Sequence, residues 1–212
     1  MGERGPVAWL FPGQGSQQVG MGQAQAAADP SVAAFFRDAD AAAGFPLTRA
    51  IAEGPEDVLA QTPVQQPAIV ATSVAMLRAL IAADLLPQPD FVAGHSLGEY
   101  SALIAAGALD PLDAIRLVRR RGELMQEHGS GAMAAVLGLP QESVAEVAAD
   151  AGAEVANVNA PDQITVSGPA PSAPPFIRRS WPPSSMDCDP SSPRPPSRQR
   201  AFRWLRTSMR AS

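Results

Sequence analysis

The sequence predicts an α/β fold: a hydrolase-like parallel-sheet subdomain, then a ferredoxin-like subdomain that is incomplete, then a disordered tail. Three observations lead there. Apolar runs at 7–11 and 91–93 each end in a glycine-containing turn and give way to helical periodicity. That alternation builds a parallel sheet covered by helices. After Gly129-Ser130-Gly131 the pattern becomes strand, helix, strand, strand, which is most of a ferredoxin-like unit. From Pro171 onward, residues 171–212 hold 9 Pro, 9 Ser and 8 Arg with no Gly. Such a segment cannot bury enough apolar surface to offset its ordering entropy. The expected division is therefore 1–128, 129–170 and 171–212.

Each element has a local reason. Residues 7–11 are apolar and read as a buried strand. Residues 31–43 and 48–61 read as helical, with Gly44 and Gly54-Pro55 as punctuation. Gln66-Pro67 is expected to open a long apolar helix over 67–84. Residues 91–93 form a strand that feeds a tight turn, and 97–106 form the helix after it. Asp110-Pro111 starts a helix running to about Glu127, with Asp110 as N-cap. Beyond Gly131 the expectations are strands at 132–137, 153–158 and 163–167, and a helix at 141–151. A complete ferredoxin-like unit needs one more helix and a fourth strand, and the sequence shows neither.

Composition removes several function classes. The 212 residues are 46% hydrophobic and 5% aromatic, which suits an alanine-rich helical α/β protein. No run of 18 apolar residues exists, so no membrane-spanning helix is expected. Met1 to Pro6 lacks the apolar centre of a signal peptide. The lone Cys188 excludes an internal disulfide framework and fits a reducing cytoplasm. His95 and His128 lie far apart in sequence, and no metal-ligand spacing occurs. Residues 1–170 carry 8 Arg against 19 Asp and Glu, a net of −11. Residues 171–212 carry 8 Arg against 2 Asp, a net of +6. A basic tail can bind nucleic acid, but a change of reading frame is the expected origin of this one.

The chemistry concentrates in Gly94-His95-Ser96-Leu97-Gly98-Glu99. A Gly-x-Ser-x-Gly pentapeptide between strand and helix is the setting of a nucleophile elbow. Its glycines permit a sharp turn and close backbone approach. Its serine sits where a helix N-terminus favours developing negative charge. An N-cap serine between turn glycines is the plainer explanation. A second block, Phe11-Pro12-Gly13-Gln14-Gly15-Ser16-Gln17, ends the first strand in a glycine-rich turn. A third, Arg119-Arg120-Arg121-Gly122-Glu123-Leu124-Met125-Gln126, lies on a helix with an apolar stripe. A solvated basic face accounts for Arg116, Arg119 and Arg120.

Together these blocks resemble the malonyl-CoA:acyl-carrier-protein transacylase family. The resemblance also takes in Gln65-Gln66-Pro67-Ala68 before a helix, Gly131 to Val136, and Val158-Asn159-Ala160-Pro161 through Gly168. It runs in order over residues 6–168. The family inserts a ferredoxin-like subdomain into an α/β acyltransferase fold, in agreement with the expected elements. It implies transfer of a malonyl group from malonyl-CoA to the phosphopantetheine thiol of acyl carrier protein, in fatty acid biosynthesis. Ser96 would be the nucleophile and carry the malonyl ester. The backbone N–H groups of Gln14 and Leu97 would form the oxyanion hole. Arg121 would pair with the malonyl carboxylate through its planar fork. His95 would be pocket wall, because neighbours on an elbow point in different directions. Asn159 would line the pocket. No cofactor and no metal is implied beyond the substrate and the carrier's own phosphopantetheine.

The sequence departs from the family at one decisive point. The family's general base is a histidine in a motif like Val/Phe-His-Ser-x-Leu-Met-x-Pro, and no such motif stands here. Shifted to the third base of each codon, the codons of Pro175 to Pro182 can spell Val-His-Ser-Ala-Leu-Met-Ala. In the same frame, Ala201 to Arg210 can spell Val-Pro-Val-Val-Ala-Asn-Val-Asp-Ala. A frame change after about residue 170, with loss of some codons, is therefore expected. Without a base, Ser96 keeps its proton, and the 212 residues are expected to show little or no transferase activity. Other readings are an acyltransferase of a polyketide or malonate-decarboxylase system, a serine hydrolase of the α/β type, and an inactive carrier-binding fragment.

Overall fold

The computed structural model describes residues 5–169. The chain forms two compact units, divided between Gly129 and Ser130. Readings of residues 171–212, including the alternative frame and the tail's disorder, lie outside the described residues.

In the first unit, β1 (Ala8–Phe11) pairs in parallel with β2 (Phe91–Gly94), with Ala8 opposite Phe91 and Phe11 opposite Gly94. Helices follow in the order α1 (Gln23–Ala28), α2 (Pro30–Ala43), α3 (Leu47–Glu53), α4 (Glu56–Leu59) and α5 (Thr62–Ala82). After β2 come α6 (Gly98–Ala105) and α7 (Pro111–His128). Strand, turn and helix thus stand where the α/β expectation puts them around Ser96.

The core of this unit is helical. Val32, Phe35, Phe36 and Ala39 of α2 meet Leu47 and Ile51 of α3. Ala68 to Ala71, Val74 and Ala75 of α5 fill the centre, and Ala114, Ile115 and Val118 of α7 close the far side. Asp110 caps α7 as expected: its carboxylate accepts from the Leu112 and Asp113 N–H groups at 2.8 and 3.1 Å. Asp29 caps α2 in the same way through Ser31.

Two expectations need correction, and one helix was not expected. The long helix does not open at Pro67 but at Thr62, with Pro63 in its first turn and Pro67 inside it. Proline at the first turn gives up an N–H that has no partner there anyway, so Pro63, and not Pro67, marks the start. The stretch 48–61 is two helices, α3 and α4, because Gly54 ends the first at φ +69°. Helix α1 escapes sequence reading because its N-cap is Gly22, which offers no side-chain cap. Helix α5 is long and apolar enough to cross a membrane by length and composition, with mean hydropathy 1.3, yet 67% of that span is buried inside the protein. It is a core helix.

The second unit runs β3 (Ala132–Leu137), α8 (Gln141–Asp150), β4 (Glu154–Ala160) and β5 (Gln163–Gly168). Its sheet has the order β3-β5-β4, antiparallel throughout. That is the β-α-β-β part of a ferredoxin-like arrangement, with the third strand between the first two. Leu139, Val144, Ala148, Ile164 and Val166 make its core.

Candidate active site

Ser96 stands between β2 and α6 with φ +52°, one of two non-glycine residues of positive φ among the described residues. A non-glycine residue held there is strained, and such strain collects at functional sites. The turn tolerates it because its neighbours leave no alternative. A Cβ on Gly98 would fall on the Phe11 carbonyl oxygen and 3.0 Å from that of Pro12. A Cβ on Gly94 would fall on the Gly98 carbonyl group. The elbow is therefore pressed against the end of β1. Leu97 is fully buried beneath it.

The Gln14 loop lies against the same elbow. At Gly13 a Cβ would stand 2.8 Å from the His95 carbonyl oxygen. The Gln14 side chain is tied down by its Nε2, which donates to Gln65 Oε1 at 2.8 Å. Neither the Gln14 nor the Leu97 backbone N–H donates a hydrogen bond among the described residues. Two N–H groups without partners, on two loops in contact, are what an oxyanion requires.

Arg121 reaches Ser96 across the unit. Its Nη2 donates to Ser96 Oγ at 3.1 Å, and its Nη1 donates to Gln66 Oε1 at 2.7 Å. Gln66 is fully buried. Its Nε2 in turn donates to Met125 Sδ at 3.2 Å. Helices α5 and α7 meet closely here: a Cβ on Gly122 would lie 2.7 Å from the Thr62 carbonyl oxygen.

The other arginines of α7 differ from Arg121. Arg116 pairs with Asp113 at 2.6 Å, Arg119 with Glu123 at 2.8 Å and Arg120 with Glu123 at 3.2 Å. Arg121 makes no ion pair among the described residues. It is a half-buried guanidinium held by neutral partners, one of them the hydroxyl of the half-buried Ser96. A guanidinium placed this way can bind a carboxylate through its planar fork.

Residues 8–180 match the acyl transferase domain family. The chain belongs to that family. It is 45% identical over 172 residues to the malonyl CoA-acyl carrier protein transacylase of Bacillus subtilis (strain 168), covering 77% of this chain and 54% of that protein. Its structure is similar to an acyl carrier protein S-malonyltransferase from Vibrio cholerae, with TM-score 0.73, 42% identity, and 78% and 56% of the two chains covered. It is also similar to a malonyl-transacylase solved in complex with a type II PKS acyl-carrier protein, with TM-score 0.71 and 41% identity over 78% and 55% of the chains. The chain thus spans about half the length of the relatives it matches.

The structure brings Ser96, Arg121, Leu97 and the Gln14 loop together in the first unit. His95 is exposed and its ring lies over Gly13, whose Cβ would stand 3.9 Å from Nδ1. Asn159 belongs to the second unit, on β4, where its Nδ2 donates to Thr165 Oγ1 at 3.2 Å. Arg119 corrects the expectation of a solvated basic face. Its Nη1 donates to the Pro63 carbonyl oxygen at 3.0 Å, and its guanidinium sits 4.6 Å from the Phe45 ring centroid. Gln65, Gln66 and Met125 stand in the blocks that carry the resemblance, but no site role was expected of them. Their signal was two adjacent amides at the apolar face of α5, and a Met one helical turn after Arg121.

Proposed function

We propose that this chain carries the nucleophile half of a malonyl transferase site. Ser96 Oγ attacks the thioester carbonyl of malonyl-CoA, the carbon–sulfur bond breaks, and the CoA thiol leaves. The resulting malonyl-Ser96 ester is attacked by the phosphopantetheine thiol of acyl carrier protein, which restores the serine. The N–H groups of Leu97 and Gln14 receive the oxyanion in each half, and losing one such donor typically costs about 2.7–4 kcal/mol of barrier. Arg121 holds the malonyl carboxylate, with His95 as a lining residue. The observation that carries this reading is the Arg121 guanidinium, without an ion pair among the described residues, with Nη2 3.1 Å from Ser96 Oγ. A serine hydrolase acting through water makes poorer use of such a cation. Fatty acid and polyketide carriers both fit the reaction, and the lone Cys188 fits a cytoplasmic setting.

The proton of Ser96 needs an acceptor. The chain's histidines are His95 and His128. His95 sits over Gly13, and His128 at the end of α7 stands 3.7 Å from Glu127. Neither stands in a motif like that of the family's base. Removing the base in a serine hydrolase costs on the order of 10⁶ in kcat, so transfer by the 212-residue chain is expected near background. Imidazole supplied in solution should raise formation of the malonyl-Ser96 ester, read by intact mass. Ser96→Ala should abolish it, and acetyl-CoA should label far less than malonyl-CoA. Equal labelling by both thioesters, or release of free malonate in place of ester, would sink this reading. Robust transfer without imidazole would sink the claim that a base is missing.

A further inference from the structure

We infer that Gln66 is a positioning residue that sets the preference of this site for a charged acyl group, an inference that rests on the reading of Arg121 just given. A guanidinium only donates, so Gln66 must turn its amide oxygen toward Arg121 Nη1. Its NH2 then points the other way, to Met125 Sδ. Arg121 and Met125 lie four apart on α7 and so share one face. The two side chains clasp the buried amide from one helix, while Gln66 projects from another. This fixes both the orientation of the amide and the plane of the guanidinium.

The choice of an amide decides the charge of the site. A carboxylate at 66 would hold Arg121 equally well in space, yet it would neutralise it. Each of the other three arginines on α7 is matched by an acid. At Arg121 the partner is uncharged, and two of the five N–H donors are engaged. The remaining donors and the full positive charge are left for an incoming carboxylate. Met125 supports this because a thioether is too weak an acceptor to draw the amide away from Arg121. The adjacent Gln65 braces the Gln14 loop by the same means. One turn of α5 therefore steadies both sides of the site.

The test is equilibrium binding of malonyl-CoA and acetyl-CoA to the full 212-residue chain and to Gln66→Glu and Met125→Leu, each checked for a cooperative melt. The original chain should favour malonyl-CoA. Gln66→Glu should lose roughly ten- to hundredfold of malonyl-CoA affinity and leave acetyl-CoA affinity unchanged, the scale of a charged hydrogen bond. Met125→Leu, close in volume, should show a smaller loss of the same sign. A folded Gln66→Glu that keeps the malonyl preference, or that loses both ligands alike, overturns the assignment. If Gln66→Glu does not fold, Met125→Leu decides: a reduced preference supports the assignment and an unchanged one overturns it. No malonyl preference in the original chain overturns the reading of Arg121, and this inference with it.

Discussion

Gly98 shows how little room the elbow has. Its missing side chain is filled by the carbonyl oxygens of Phe11 and Pro12. These belong to the turn that carries Gln14 away from β1. Backbone here packs on backbone, so neither side can yield by a rotamer change. Gly98→Ala should therefore push β1 from α6 and cost about 1–3 kcal/mol, the usual scale of overpacking. Glu99→Ala, one residue on and exposed, should change stability little. Urea denaturation of both variants checks this, and equal stabilities would mean that the turn is free to relax. The same residue links stability to function. Ser96 is kept at φ +52° by this packing, and the partnerless N–H of Leu97 is aimed by it.

Helix α7 works as two faces with separate electrostatics. Its inner face holds Val118 and Gly122 against α5, with Arg121 directed to Ser96. Beside it Glu123 bridges the outward Arg120 and Arg119, whose guanidinium also reaches Pro63 and Phe45. The hydrogen bond from Arg120, with help from Arg119, holds the Glu123 carboxyl below its ordinary value of 4.5. A depressed carboxylate stabilises the fold when ionised. That contribution is complete above pH 4.5 and fades as pH falls through the lower, folded value. Glu123→Gln should thus melt at a lower temperature than the parent at neutral pH, with the gap closing as the solution is acidified below pH 4.5. A gap that stays constant with pH would show that the charge is not responsible. The effect is small and sensitive to salt because the group is exposed. Helix α7 was largely legible in the sequence, since Asp110-Pro111 spells cap and first turn locally. Helix α5 was misread at its start because Pro67 carries the same local signal as Pro63. Pro67 has no N–H to offer the Pro63 carbonyl, and Arg119 Nη1 serves that oxygen in its place. The elbow was legible for the same reason as the cap: its glycines, serine and flanking periodicity are all neighbours in sequence. Gln66 was not, because its partners Arg121 and Met125 are 55 and 59 residues away. Arg119 was misjudged for the same reason, since Pro63 and Phe45 become its partners only once α5 and α7 pack.

At the scale of the molecule, the first unit has a well-filled helical core and a thin sheet. Among the described residues β1 and β2 pair only with each other. Parallel strands are normally covered on both faces. Here Trp9, Phe11 and Val92 face the helices and are partly buried, whereas Ala8, Leu10, Phe91 and Ala93 form an exposed face. Leu10 is 77% exposed and Phe91 66%. Their register places them on one side of adjacent strands, so they make one apolar patch and not two isolated residues. In water such a patch is a liability for association. The 212-residue chain should bind an environment-sensitive apolar dye and self-associate as its concentration rises. Leu10→Gln with Phe91→Thr should suppress both, while leaving the melting temperature within a few degrees of the parent because neither side chain is part of the helical core. Unchanged dye binding in a folded double variant would place the exposed apolar surface elsewhere, with Met133 and Leu137 on β3 as the next candidates at 66% each. A collapse of the melt would show that the strands, and not the helices, hold this unit together. In that case the strain at Ser96 would rest on β1 and β2 themselves, and the site could not outlast their separation.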